Sequence, residues 1–156
     1  MSALPAGVDR AQAEAARAGG MDRSLFGDEH VERYEATDGA EGFIWNGAPC
    51  LVLTTAGAKT GKEHKYALIY APDGDDVLIV ASKGGSPEHP QWYRNLVAHP
   101  EVHVQVLGDR YAAIARTATA EEKKRLWPLV TEVWPSYDDY QARTDRDIPV
   151  VVLSRA

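Results

Sequence analysis

Residues 101–118, EVHVQVLGDRYAAIARTA, alternate with a period of two around a turn near their middle. Val102, Val104 and Val106 share one face and Glu101, His103 and Gln105 the other, the pattern of a half-buried strand. Gly108-Asp109 predicts the turn and 110–118 the returning strand. Further strands are predicted at 49–55 (PCLVLTT), 65–71 (KYALIYA), 76–82 (DVLIVAS) and 148–154 (IPVVVLS). The second and third of these flank PDGD, which has the chemistry of a hairpin turn. Helices are fewer. Residues 90–99 begin with Pro90 at a helix start and space Trp92, Leu96 and Val97 helically. At 119–134, Thr119 stands three residues before Glu122 as a capping box, and Pro128 predicts a bend or a division. A short helix is read at 136–145. Strands following one another through short turns imply a mainly β fold, an antiparallel sheet curled into a barrel with helices outside it. A doubly wound parallel fold would alternate strands with helices, and this order does not.

The chain has 156 residues, enough for one domain with a proper core. A net charge of −6 argues against a general nucleic-acid footprint. One cysteine, Cys50, excludes an internal disulfide and suits a reducing compartment; its apolar neighbours predict a buried structural thiol. No apolar run approaches the roughly 20 residues of a membrane helix, and residues 1–20 lack a signal-peptide stretch, which places the protein in the cytoplasm. The expected division is an N-terminal helical or partly disordered segment, 1–40, before the barrel domain, 41–156. Within the segment a helix is read from about Asp9 to Arg17, stopped by Gly19-Gly20. Disorder, a homodimer contact or a peripheral membrane-surface helix all remain open for it.

Three stretches can carry chemistry. TTAGAKTGKEHK (54–65) joins two strands and sets Lys59, Lys62 and Lys65 against Glu63, with glycines that bare the backbone. In an acidic chain such a local excess suits an anion site, and a solvated hairpin loop equally well. It is not a P-loop: Gly57 to Gly61 encloses three residues where that motif has four, and Glu63 follows Lys62. In the second stretch, ASKGGSPEHPQWYRNL (81–96), Ser82, Lys83, Gly84 and Gly85 leave a strand end where free N–H groups can face a ligand. Trp92 can wall off a flat ring or fill the core, with Asn95 one turn on. The third, WPSYDDYQARTDRDIP (134–149), puts Tyr137 and Tyr140 on one helical face, as core or as pocket lining with a hydroxyl free to donate a proton. No G-x-G-x-x-G and no G-x-S-x-G occurs, so neither a Rossmann site nor a serine hydrolase is supported. His99 and His103 are split by Pro100 and a strand, which defeats helical H-E-x-x-H geometry, and no metal site is read.

The three stretches, in this order, resemble the deazaflavin-dependent nitroreductase family, actinobacterial proteins that use coenzyme F-420. The resemblance runs from about Pro49 to Leu153 and rests on LTTAGAKTGK, VASKGGSPEHPQWYRNLVAHPEVHVQV and WPSYDDYQARTDRDIPVVVL. It implies an antiparallel split β-barrel of the FMN-binding type and a reduced deazaflavin as hydride donor. By position it implies that Lys59, Thr60 and Gly61 hold the coenzyme's phosphate and tail. Ala81, Ser82, Lys83 and Gly84 would lie along its ring, Trp92 and Asn95 would close that side, and His64 and Leu68 would complete the contacts. Tyr137 would face the substrate as the catalytic residue, with Trp134 and Tyr140 shaping the pocket. Ala58 and His64 stand where many members carry basic residues, and Tyr66-Ala67-Leu68 stands for their NPL. Losing guanidiniums weakens a bidentate phosphate clamp, which Lys59, Lys62 and Lys65 can replace only as point charges. The implied reaction transfers hydride to a small-molecule acceptor, a quinone, nitroaromatic or activated alkene. The rival class is a non-catalytic split-barrel protein that binds deazaflavin, FMN or haem.

Overall fold

The computed structural model describes residues 27–156; the helix read at Asp9–Arg17 lies outside them. In chain order the elements are α1 (Gly27–Ala36), β1 (Ile44–Trp45), β2 (Ala48–Ala56), β3 (Glu63–Ile69), β4 (Ala71–Asp73), β5 (Asp76–Val80), a 3-10 turn (Lys83–Gly85), α2 (Gln91–Ala98), β6 (Glu101–Val106), β7 (Asp109–Thr117), α3 (Ala120–Val133), α4 (Ser136–Ala142) and β8 (Val150–Arg155). None of these helices is long and apolar enough to cross a membrane.

Every strand pairing is antiparallel. The main path runs β2-β6-β7-β8-β5-β4, and β3 lies on the other edge of β2. Because β3 and β4 are separated only by Tyr70, one stretch of chain pairs with β2 at its start and with β5 at its end. That stretch curls the sheet into a split barrel, as expected. The predicted strand 65–71 is therefore two strands with a corner, fixed by a Tyr70 N–H bond to the Pro49 carbonyl at 3.1 Å.

Val102, Val104 and Val106 are buried together as their spacing requires, whereas Glu101 and His103 are exposed. The turn falls one residue earlier than expected: Val106 pairs Asp109, leaving Leu107 and Gly108 at the tip. Leu107 takes a positive φ of 53° because its side chain is drawn into the core and its N–H is accepted by the Tyr34 hydroxyl at 2.8 Å. The same hydroxyl donates to the Cys50 carbonyl at 2.9 Å, which ties α1 to β2 and to the β6–β7 turn. The barrel interior is filled by Leu51, Leu53, Val77, Ile79, Val104, Val151 and Leu153, among others. A second cluster, with Leu78, Leu126, Val130, Tyr137 and Ile148, lies under α3 and α4 outside the sheet.

The capping box of α3 forms as predicted: Glu122 N–H donates to the Thr119 hydroxyl and the Glu122 carboxylate accepts from Thr119 N–H. Pro128, however, does not divide the helix, which runs unbroken over Ala120–Val133. Leu126 and Val130 anchor the helix on both sides of it. The carbonyl it leaves unpaired, that of Lys124, lies on an exposed turn where water can satisfy it.

Candidate functional site

A cavity of about 420 Å³ opens between the β5 end, β3, α2 and α4. Its floor includes Ala67, Leu68 and Ile69 of β3 and Cys50 of β2; its walls are Ser82, Lys83 and Gly84, Trp92 of α2, and Trp134, Tyr137 and Tyr140. Eight residues singled out from the sequence thus meet in one place: Leu68, Ser82, Lys83, Gly84, Trp92, Trp134, Tyr137 and Tyr140. His30, Trp45 and Cys50 join them without having been anticipated there. Burial pushes the Cys50 thiol well up, so the thiol stays protonated at neutral pH.

The wall follows from backbone conformation. Lys83, Gly84 and Gly85 have φ of 45°, 63° and 84°, a left-handed run that turns the chain sharply at the strand end. At Gly85 this brings the turn against α4: a Cβ there would lie 2.6 Å from the Tyr140 carbonyl oxygen. The N–H groups of Ser82, Lys83 and Gly84 bond no described residue. The Lys83 ammonium lies 3.8 Å from the exposed Glu88 carboxylate.

The opposite wall is aromatic. The Tyr137 ring packs edge-on to Tyr140 at 6.1 Å and tilted to Trp127 at 6.3 Å, and Trp134 packs on Trp45 at 5.8 Å. The Trp134 indole N–H donates to the Tyr140 hydroxyl at 3.4 Å. The Tyr137 hydroxyl bonds no described residue, yet unlike that of Tyr70 it is not sealed from the surface. Burial pushes its pKa upward, so at neutral pH it is a hydrogen-bond donor.

The remaining sequence candidates lie elsewhere. Lys59, Thr60 and Gly61 are exposed on the β2–β3 loop, and His64 is exposed at the start of β3. That loop is closed by Gly57 N–H to the Lys62 carbonyl (2.7 Å) and Gly61 N–H to the Gly57 carbonyl (2.8 Å). Lys65, on β3, is paired with Glu35 at 2.7 Å, while the loop's Lys59 and Lys62 pair with no described carboxylate. The N–H groups of Lys59 and Thr60 also bond no described residue. Ala81 is fully buried behind the wall. Asn95 does not line the cavity, because its amide is engaged within the protein. It accepts from Ala58 N–H (3.1 Å) and the Gln91 amide (3.0 Å) and donates to the Thr55 and Tyr66 hydroxyls (3.0 and 3.4 Å).

Arg146 was overlooked in the sequence. It reaches back from the segment before β8 and donates to the carbonyls of Ala81 (3.1 Å), Ser82 (2.7 Å) and Ser86 (2.8 Å), and its Nη1 lies 3.0 Å from His89 Nδ1. Its partners are backbone atoms some 60 positions away, which leave no mark on residue types.

Comparison with known proteins gives concordant results. A family model described as F420H(2)-dependent quinone reductase matches residues 27–155. An F420H(2)-dependent quinone reductase of Mycobacterium tuberculosis is 45% identical over 130 residues, 81% of this chain and 87% of that protein. A solved F420-H2 dependent reductase superposes with a TM-score of 0.64 at 40% identity, covering 68% of this chain and 94% of the other. A second structure, a domain-swapped dimer, gives 0.67 at 38% identity over 81% and 95%. The chain belongs to the F420H(2)-dependent quinone reductase family.

Proposed function

We propose that this protein is an oxidoreductase that uses reduced coenzyme F-420 to reduce a quinone-like acceptor. The observation that carries the proposal is the meeting of a bare-backbone wall, a flat indole and a buried phenol in one 420 Å³ cavity. That volume accepts a tricyclic ring but not a long tail as well. The tail has a matching place: the β2–β3 loop lies six residues from Leu68 along β3, about 20 Å at roughly 3.3 Å per residue. There, Lys59 and Lys62 and the free N–H groups of Lys59 and Thr60 suit phosphate.

The coenzyme, when bound, supplies a hydride and no obligatory radical. The chain supplies the rest. Trp92 and Leu68 wall the flat ring, and the N–H groups of Ser82, Lys83 and Gly84 offer donors to its oxygen-bearing edge. Trp134, Tyr137 and Tyr140 exclude water and press the acceptor toward the ring, so that proximity supplies much of the rate. The Tyr137 hydroxyl donates a hydrogen bond to the acceptor oxygen as it gains electron density; with its pKa raised, water delivers the proton. The donor suits any acceptor whose reduction develops charge on a carbonyl oxygen, and the family's description as quinone reductases favours a quinone among these. A homodimer is the proposed assembly, supported by the relative that forms a domain-swapped dimer.

The test is incubation with reduced coenzyme and menadione, following reoxidation by absorbance. Turnover supports the proposal; tight binding without reoxidation, or binding of FMN or haem in preference, rejects it.

A further inference from the structure

Four N–H groups of one guanidinium are committed to the segment that forms the cavity wall. Arg146 Nε donates to the Ser86 carbonyl, Nη1 to the Ala81 carbonyl and toward His89 Nδ1, and Nη2 to the Ser82 carbonyl. No described carboxylate pairs with it. Arg146 itself does not line the cavity, whereas Ser82 and Lys83 do. In a trans peptide the C=O and N–H point in opposite directions. With the Ala81 and Ser82 carbonyls turned onto the guanidinium, the N–H groups of Ser82 and Lys83 must point away from it. These same N–H groups bond no described residue.

We propose that Arg146 is a positioning residue for the reaction: from behind the wall it orients the Ser82 and Lys83 N–H groups toward an electron-rich oxygen on the bound ring, and its unpaired charge strengthens them as donors. The inference rests on the functional reading above and adds to it a residue that touches neither coenzyme nor acceptor. Only an arginine fits the role. Its planar fork reaches three carbonyls and a ring nitrogen together, where an ammonium is a point charge on a flexible stem. His89 fits the same arrangement: accepting at Nδ1 requires an unprotonated nitrogen there, and its ring is held against Tyr93 at 4.8 Å. Four hydrogen bonds hold the partly buried guanidinium in place, two of them to the carbonyls of the same peptides whose N–H groups are the donors.

The experiment compares wild type with Arg146→Lys. Steady-state reoxidation of reduced coenzyme by menadione is measured well below each protein's Tm, and amide exchange at residues 82–84 is followed by NMR with and without coenzyme. In the wild type, coenzyme should slow exchange of the Ser82 and Lys83 amides by about 10-fold or more, as new hydrogen bonds require. Arg146→Lys should lose that protection, and its kcat per folded molecule should fall about 10-fold or more, with the KM for menadione little changed. A purely structural Arg146 would lower Tm and leave kcat intact, which overturns the proposal. If the variant does not fold, the wild-type exchange decides: unslowed Ser82 and Lys83 amides in the complex also overturn it. A wild type that neither binds nor reoxidises the coenzyme removes instead the functional reading on which the inference rests.

Discussion

Gly85 makes the closeness of the wall to α4 measurable. Gly85→Ala adds a Cβ 2.6 Å from the Tyr140 carbonyl oxygen and 3.1 Å from Tyr140 Cα and Arg143 Cβ, all at a φ of +84°. The left-handed conformation costs an alanine roughly 1–2 kcal/mol. Overpacking against backbone adds roughly 1–3 kcal/mol. Stiffening the unfolded chain returns about 0.4–1 kcal/mol. The net loss centres near 3 kcal/mol, or a Tm drop of about 6–12 °C at roughly 2–4 °C per kcal/mol for a chain of this size. Gly84→Ala is the internal control: its φ is +63° and no atom lies within 4 Å of the added Cβ. It carries only the conformational part, about 1 kcal/mol or less after the unfolded-state gain. Urea and thermal unfolding of the pair measure the contact by difference. Relief of the clash must also move α4, so Gly85→Ala should slow turnover by displacing Tyr137 and Tyr140. Equal stabilities for the two variants would refute the argument, since they would mean that α4 yields freely at this contact.

Tyr137→Phe keeps the ring and removes a hydroxyl with no described partner, so folding and coenzyme affinity should hardly change. Steady-state turnover with a quinone should fall about 10-fold or more, about 1.4 kcal/mol of barrier, and wild-type turnover would exclude the hydroxyl from the reaction. Lys59→Ala should weaken coenzyme binding by about 1.5–3 kcal/mol in calorimetry at low salt and by less at high salt. Tyr70→Phe deletes a buried hydroxyl that bonds no described residue and should stabilise the fold by about 1 kcal/mol in urea titrations, with an unchanged slope. His89 has its pKa lowered, first by desolvation and then by Arg146 and Arg94. Its unfolded form therefore takes up a proton first, so stability present above about pH 6.5 is lost as pH falls toward the folded value. The drop in Tm between pH 7.5 and 5.5 should shrink in His89→Gln.

The parts legible in the sequence are those whose cause is local. The valine face of β6 and the Thr119–Glu122 capping box are each set by residues a few positions apart, and both formed. Gln105, expected outward with Glu101 and His103, is instead buried with its amide donating to the Leu107 carbonyl. The division allowed at Pro128 does not occur, because Leu126 and Val130 are buried on either side of it and the helix continues through. Helix α1 escaped notice because GDEHVERYEA buries only His30, Val31 and Tyr34, too thin a stripe to stand out from a polar segment. Two of the three candidate stretches, 81–96 and 134–149, meet at the cavity, and their glycines, indole and paired tyrosines each have a chemical signature; the first, 54–65, contributes nothing to its lining. Arg146 and the true work of Asn95 were hidden, since both depend on groups brought near only by folding.

Helix α2 joins the two halves of this arrangement mechanically. Trp92 meets the cavity, and three residues later Asn95 grips the β2–β3 loop through the Ala58 N–H, all on an eight-residue helix too short to flex within itself. Because Asn95 also bonds Thr55 and Tyr66 of the barrel, the loop, the barrel and the helix that carries the indole share one hydrogen-bond hub. A ligand tail gripping the loop would adjust the tightness of the ring's berth, turning remote attachment energy into alignment at the reacting carbon. The loop would then act as the handle of a vice whose jaw is Trp92.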